Sequence, residues 1–157
     1  AGLSPEDALK AVARFSRDNA RTPMQWSDAA HAGFTTGKPW LRVNPNYLSI
    51  NAAAQLEDPD SVFHFYQKLI RLRKDPVYKE TIVYGTLEPA FREQHNLMAY
   101  YRKGDKTLLV IGNYQSGKQA VTLPLPYTKV LLNNYADITR EGSTILLHGY
   151  QVLILEM

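Results

Sequence analysis

The chain has 157 residues, of which 45% are hydrophobic and 21% charged, a balance typical of a globular protein with a buried core. Its 18 Lys and Arg residues against 15 Asp and Glu give a net charge of +3, spread along the chain, so nothing indicates a nucleic-acid partner. The absence of cysteine excludes disulfides and thiolate metal sites. No apolar run approaches the roughly 18 to 20 residues of a membrane span, and no signal peptide is evident, so we expect a soluble, cytoplasmic protein without a membrane partner.

The first half of the chain predicts two helices separated by an irregular segment. Ser4-Pro5-Glu6-Asp7 combines a capping hydroxyl, a proline at the first helical position and an early acid, which predicts a helix to about Phe15. Periodicity is lost over residues 16–55, and an irregular segment of this length is typical of a functional loop or of chain that covers another surface. A second helix start at Asp58-Pro59-Asp60 precedes apolar residues at helical spacing, and Pro76 ends that helix.

The second half changes to short β-rich runs separated by turn signals, as in an antiparallel meander or Greek key. The runs are residues 81–84, 96–102, 107–113, 119–123, 129–134 and 144–156. Gly149 splits the last run into two strands, so we expect about seven or eight strands in a small sandwich. Its interior is predicted to hold alternating apolar residues such as Leu108, Val110, Ile145, Leu147, Val152 and Ile154. The fold class is therefore α+β, divided into residues 1–76 and 77–157.

The acidic residues do not indicate a catalytic pair. Glycoside hydrolysis needs two carboxyl groups about 5 to 10 Å apart. Asp58 and Asp60 are typical of a helix start, and Asp105 and Glu141 lie in predicted turns. The four histidines share no metal-ligand spacing, and no glycine-rich phosphate loop is present. We predict no catalytic residue, no metal site and no cofactor in this chain.

The segment Ser16 to Trp26 concentrates two arginines, an acid, two amides and a tryptophan in a short stretch. Arginine and aspartate form strong hydrogen bonds to hydroxyls, amides donate and accept, and an aromatic face packs on a sugar ring. The segment therefore suits sugar binding. The alternative is a buried Arg-Asp pair that anchors an irregular loop, with Trp26 in the core, and composition alone favours it.

Longer motifs carry a family resemblance. Residues 16–26, then His31 to Trp40 and Val43-Asn44-Pro45-Asn46-Tyr47, closely resemble the end of the catalytic barrel in α-glucosidases of glycoside hydrolase family thirteen. That group includes oligo-1,6-glucosidases, glucan 1,6-α-glucosidases and trehalose-6-phosphate hydrolases. Residues 60–74 resemble the last helix of the barrel, and the β-rich remainder resembles the C-terminal all-β domain. The resemblance implies that residues 1–76 are a remnant of a TIM barrel's C-terminal end, with its eighth-strand loop and last helix.

The resemblance also implies a mechanism, and it implies which catalytic and substrate-binding residues lie inside and outside this chain. The intact enzyme would hydrolyse terminal α-glucosidic bonds with retention, using an aspartate nucleophile, a glutamate acid/base and a second aspartate, all encoded before Ser16. The chain would then be a truncated, inactive fragment whose partner is the missing part of the barrel. An arginine of the motif would contact the α-glucoside oligosaccharide: Arg17 first, Arg21 second, with Asp18 as the orienting residue. The bond specificity stays open.

Two other readings do not require catalysis. A free-standing carbohydrate-binding module would use tyrosines of the β domain as stacking platforms, although tyrosine is common on strands, which favours a structural role. The candidates are Tyr100, Tyr101, Tyr114, Tyr127, Tyr135 and Tyr150. A structural interaction domain would self-associate through the surface that meets the missing barrel, where Trp26, Phe34 and Trp40 would form an apolar patch.

Overall fold

The computed structural model describes residues 2–157, apart from the side chain of Asn19. The chain forms two compact units, one running up to His64 and the other Phe65–Met157. The division falls inside a helix, whereas the predicted division at residues 76 and 77 separates barrel from β domain and stays a prediction. Within the described residues, no helix combines the length and apolar character needed to cross a membrane.

The first unit begins with the predicted helix, α1 (Pro5–Phe15). The Ser4 hydroxyl accepts a hydrogen bond of 3.1 Å from the Asp7 amide, which satisfies one of the unpaired N–H groups at the helix start. Lys10 and Glu6 form a surface ion pair of 2.8 Å one turn apart. The capping pattern read from the sequence is confirmed.

The irregular segment that follows is confirmed for most of its length, and it contains the short 3-10 turns Arg17–Ala20, Ala30–Gly33 and Pro45–Leu48. Its predicted extent to residue 55 is wrong, because α2 (Ala52–Glu57) begins within it. Asn51 starts this helix: its side-chain oxygen accepts from the Ala54 amide at 2.9 Å, and its side-chain amide donates to the Tyr47 carbonyl at 2.9 Å. A single capping asparagine before three alanines was the missed signal.

The next helix, α3 (Val62–Lys74), begins slightly later than the Asp58-Pro59-Asp60 pattern predicts. Asp58 accepts a hydrogen bond from the Asp60 amide and so forms a turn before the helix. The residue that caps the helix is the buried Ser61, whose hydroxyl accepts from the His64 amide at 3.3 Å. The helix start is therefore shared between an Asx turn and a serine cap.

The strand predicted for residues 81–84 is wrong, because these residues belong to α4 (Lys79–Tyr84). Thr81, Ile82 and Val83 are β-branched and favour strands by propensity. The tertiary environment overrides that preference: Thr81 is fully buried, and its hydroxyl accepts the Lys106 amide at 3.1 Å. This bond fastens α4 to the turn after β2.

Two antiparallel sheets form the rest of the second unit, with a five-stranded order β1-β2-β3-β8-β5 and a three-stranded order β4-β7-β6. The described residues thus contain eight strands, which confirms the expected α+β class and strand number. β1 and β6 were missed because every residue in them is exposed, so they show no apolar alternation. The strands are β1 (Thr86–Pro89), β2 (Leu97–Lys103), β3 (Thr107–Asn113), β4 (Gln119–Thr122), β5 (Lys129–Asn133), β6 (Thr139–Glu141), β7 (Thr144–Leu147) and β8 (Val152–Glu156).

The prediction of which residues of β3 and β8 face the sandwich interior is wrong. Leu109, Ile111, Leu153 and Leu155 of the five-stranded sheet pack against residues of the other sheet, including Ile145 and Leu147. Leu108, Val110 and Ile154 were predicted inside, yet they face the opposite side and line a cleft of about 440 Å³ with residues of α3 and α4. Val152 also lies outside the core cluster. Both faces of β3 and β8 are apolar, so their alternation does not reveal which face meets the second sheet.

Candidate functional site

The arginine segment starts where α1 ends. The Ser16 amide donates to the Val12 carbonyl at 2.9 Å, and the Ser16 hydroxyl accepts from the Asp18 amide at 3.2 Å. One serine thus closes the helix and opens the 3-10 turn Arg17–Ala20. The two arginines flank this turn, so the end of α1 fixes where both side chains leave the backbone.

Asp18 lies next to Arg21 rather than to both arginines. The Arg21 amide donates to the Asp18 carbonyl at 3.1 Å, and Arg21 Nη1 lies 3.9 Å from Asp18 Oδ1. The side chains are 50% and 59% exposed, so the pair is weak and contradicts the buried Arg-Asp anchor. Arg17 is exposed and takes part in none of the salt bridges in the described residues. Of the three predicted site residues, the structure therefore brings two together.

Backbone hydrogen bonds attach the end of the segment to α2. The carbonyls of Gln25 and Trp26 accept from the amides of Ala52 and Ala53 at 2.9 and 3.0 Å. These amides belong to the first turn of α2 and have no partner within the helix. The Gln25 side chain also donates to the Ile50 carbonyl. Sequence reasoning missed this positioning role of Gln25, because the contact joins residues far apart in the chain.

A cleft of about 450 Å³ lies beside this attachment, with a mostly apolar lining. Residues 22–25 form one wall, and Ile50, Asn51 and residues of α2 and α3 complete it. Arg17, Asp18 and Arg21 do not line this cleft. The motif thus divides into an exposed, charged turn and an apolar part that packs locally.

The loop after the motif has a left-handed backbone. His31, Ala32 and Gly33 have φ values of 55°, 59° and 65°, and Ala32 is completely buried. The Ala32 carbonyl accepts from the amides of Trp26 and Ser27 at 2.9 and 3.1 Å, which closes the loop. His31 and Ala32 carry a Cβ, so this conformation costs free energy that the closing hydrogen bonds must offset, whereas Gly33 adopts it without that cost.

The aromatic residues of the first unit are not in a core. Trp26 is 54% exposed and Trp40 64% exposed, and Phe34 is also exposed. The interpretation of Trp26 as a core residue is therefore wrong. The three rings of the predicted apolar patch are each exposed, and their use in self-association stays a prediction.

Four acids of the first unit serve local structure. Asp7 accepts from the Ser4 hydroxyl at 2.7 Å, and Glu6 pairs with Lys10. Asp18 pairs with Arg21, and Asp58 forms its turn with Asp60. In the part of the chain that the structure describes, no group of three or more His, Cys, Asp or Glu side chains is placed to hold a metal ion.

Comparisons with known proteins agree with this architecture. Residues 1–85 match the family model for the alpha-amylase catalytic domain, and residues 97–154 match the model for the C-terminal domain of the alpha-amylase SusG. An oligo-1,6-glucosidase of Parageobacillus thermoglucosidasius is 41% identical over 99% of this chain and 28% of its own length. A trehalose-6-phosphate hydrolase of Bacillus subtilis is 40% identical with the same coverage of each chain.

Solved structures extend the likeness to the fold. The crystal structure of a trehalulose synthase from Pseudomonas mesoacidophila matches with a TM-score of 0.88 and 38% identity, over 98% of this chain and 28% of that one. The order of the two matches, a catalytic-domain segment followed by a C-terminal β domain, is that of an alpha-amylase family enzyme. The chain belongs to the alpha-amylase family, which confirms the family predicted from the motifs. It spans about 28% of the length of the relatives that it matches.

Proposed function

We propose that this chain is the C-terminal part of an α-glucosidase that hydrolyses terminal α-glucosidic bonds of small oligosaccharides with retention. The observation that supports this most directly is the order of the two family matches, catalytic domain over residues 1–85 and C-terminal domain over 97–154. The relatives named as oligo-1,6-glucosidase and trehalose-6-phosphate hydrolase align along nearly the whole chain. Both names describe hydrolases.

A retaining mechanism needs a nucleophile carboxylate and an acid/base carboxyl about 5 to 5.5 Å apart. Four acids of the first unit, Glu6, Asp7, Asp18 and Asp58, are engaged in a cap, a turn and surface pairs. We therefore assign the nucleophile, the acid/base and the second aspartate to the preceding part of the barrel. That part is the partner that this chain needs for activity, and the chain alone is inactive.

The contribution of this chain to the substrate site is then the turn after α1. Guanidinium groups donate several hydrogen bonds in a fixed geometry, which suits the adjacent hydroxyls of a terminal glucosyl unit. Arg17 forms no salt bridge with the residues that the structure describes and is assigned the sugar contact, with Arg21 second. Asp18 orients Arg21 through the 3.9 Å pair and the backbone bond between the two residues. Substrate linkage would be selected elsewhere in the barrel.

Complementation tests the proposal. The purified chain is incubated with a chromogenic α-glucoside, alone and after co-expression with the preceding part of the barrel. We expect no hydrolysis above buffer from the chain alone and measurable hydrolysis from the pair. Hydrolysis by the chain alone would disprove its inactivity, and an inactive but stably assembled pair would contradict the enzyme assignment.

Arginine variants in the complemented enzyme test the assigned roles. Losing a charge-assisted hydrogen bond of about 1.5–3 kcal/mol predicts that Arg17→Ala lowers kcat/KM by about 10- to 150-fold. Arg71→Ala is the matched control, because Arg71 is an exposed arginine on α3 outside the motif. Equal activities of Arg17→Ala and Arg71→Ala would refute the sugar contact. The cytoplasmic location stays a prediction.

A further inference from the structure

The structure separates the six tyrosines of the β domain into two groups. Tyr100, Tyr101 and Tyr127 are half-buried and contact the core or the cleft behind the five-stranded sheet. Packing accounts for these three. Tyr114, Tyr135 and Tyr150 are exposed and lie in loops beyond the ends of strands. Strand propensity, which favoured a structural role for all six, does not explain the second group.

Hydrogen bonds bring the three loops that carry the exposed tyrosines together. The Tyr150 amide donates to the Gln115 carbonyl at 3.1 Å, and the Asn134 side-chain amide donates to the Tyr150 carbonyl at 2.9 Å. The Tyr135 hydroxyl donates to the Gly149 carbonyl at 2.7 Å. The loops after β3, β5 and β7 thus meet at one end of the sandwich. We call this surface the tyrosine end, defined by residues 114–117, 134–136 and 148–151.

Tyr150 is held in a backbone conformation that disfavours its side chain. Its φ is 60°, a left-handed value that costs about 1–2 kcal/mol for a residue with a Cβ. Its ring is nevertheless 62% exposed, and no hydrogen bond in the described part of the chain involves its hydroxyl. A glycine would fit the backbone better and would remove a residue that is mostly exposed. A strained, exposed aromatic residue is a marker of function.

The surroundings of Tyr150 match a neutral, hydroxyl-rich ligand. The rings of Tyr135 and His148 stack with centroids 4.9 Å apart and an interplanar angle of 10°. The three loop segments contain no Asp, Glu, Lys or Arg. Of their other polar residues, Gln115 and Ser116 are exposed, whereas Gln151 is fully buried and the Asn134 amide bonds the backbone of Tyr150 and Val152. Aromatic faces pack on the C–H face of a pyranose, and amides bond its hydroxyls.

We propose that the tyrosine end binds a linear α-glucan, with Tyr150 as the stacking platform. The surface lies wholly in the second unit and needs no residue of the arginine turn. The choice of an α-linked glucan rests on the proposed function, whereas the recognition of a neutral sugar rests on the exposed rings and on the exposed Gln115 and Ser116.

The test measures binding of maltohexaose and of isomaltohexaose to the whole chain by calorimetry. We expect saturable binding of at least one sugar. Tyr150→Gly should weaken it by about tenfold, the effect of one lost stacking contact, while the melting temperature stays unchanged or rises because the backbone strain is relieved. Tyr150→Phe keeps the ring and should keep the affinity within about twofold.

Tyr84→Ala is the matched control, because Tyr84 is 71% exposed on α4, outside the tyrosine end. It should leave binding unchanged. The proposal is overturned if neither sugar binds, if Tyr150→Gly binds as tightly as the unchanged chain, or if Tyr84→Ala weakens binding equally. These outcomes are independent of the hydrolysis assay, so a chain that restores activity without binding through Tyr150 would refute this surface and leave the proposed function intact.

Discussion

The Tyr78 hydroxyl donates a hydrogen bond of 2.9 Å to Glu156 Oε2, which joins the residue before α4 to the end of β8. The other oxygen, Glu156 Oε1, accepts from Lys106 Nζ at 2.8 Å. The Lys106 hydrogen bond, with a further contribution from the Tyr78 hydroxyl, lowers the pKa of Glu156. The hydrogen bond and charge of Glu156 in turn raise the pKa of Lys106.

These pKa shifts predict how stability depends on pH. A lowered carboxyl pKa stabilises the fold above the unfolded value of about 4.3, and this contribution is lost as the pH falls through the folded value. The raised pKa of Lys106 stabilises the fold below about 10.4, and this contribution is lost as the pH rises through the folded value. Glu156→Gln should therefore lower the melting temperature at pH 7, and the difference from the unchanged chain should shrink below pH 4.

Thermal denaturation between pH 3 and pH 7 measures this effect. Glu141→Gln is the control, because Glu141 is an exposed glutamate of β6 without an ion pair among the described residues. It should follow the unchanged chain throughout. A Glu156→Gln deficit that stays constant down to pH 3 would show that the carboxylate charge is not the stabilising feature.

The sandwich core predicts a large cost for removing a central leucine. Leu109 is fully buried on β3 and packs in the core between the two sheets. Leu109→Ala should lower the free energy of unfolding by about 2–5 kcal/mol, whereas Leu125→Ala, at an exposed loop position, should change it by less than about 0.5 kcal/mol. Urea denaturation measures both. Similar values for the two variants would contradict the described packing.

The position of Gly85 at the end of α4 leaves no room for a side chain. A Cβ at this position would lie 2.7 Å from the Lys103 carbonyl oxygen, a backbone atom that cannot move aside cheaply. Gly85→Ala should cost about 1–3 kcal/mol through overpacking. Gly117→Ala is the control, because a Cβ there meets nothing within 4 Å. Urea denaturation that ranks Gly117→Ala as the more damaging change would refute the close approach of α4 to β2.

We expect Asn51 to stabilise α2. It is buried, caps the helix and bonds the Tyr47 carbonyl, so Asn51→Ala should cost about 0.5–2 kcal/mol and leave that carbonyl without its donor. Hydrogen exchange of the α2 amides should become faster. Asn44→Ala is the comparison, because Asn44 caps only a short, exposed 3-10 turn. If the α2 amides exchange no faster in Asn51→Ala, the asparagine does not stabilise this helix.

The sequence allowed the elements with strong local signals to be predicted. Ser4-Pro5 encodes a cap that needs no tertiary information, and α1 begins and ends where it predicts. α4 could not be found in this way, because the burial of Thr81 and its bond to the Lys106 amide depend on a distant turn. The face of β3 that meets the other sheet could not be predicted for a different reason: Leu108 and Leu109 are both buried, on opposite faces.

The candidate site was likewise predictable only in part from the sequence. The arginine motif was recognisable from residue order, and the family matches agree with it. The sequence could not show that Asp18 lies beside Arg21 and leaves Arg17 unpaired, because both arginines are within reach of a turn. Nor could the sequence distinguish Tyr150 from Tyr100. Tyr150 lies in a loop with a strained backbone, whereas Tyr100 lies half-buried on β2.

The position of β8 between β3 and β5 has a consequence for synthesis on the ribosome. Roughly 40 residues separate β3 from β8, so translation at about 5–20 residues per second leaves one edge of β3 unpaired for about 2–8 s. β3 presents Leu109 and Ile111 on one face, and an unpaired edge on such an apolar strand invites pairing with other nascent chains. Slower elongation after residue 113 should lengthen this exposure and increase the aggregated fraction, which makes codon choice in this stretch a determinant of yield.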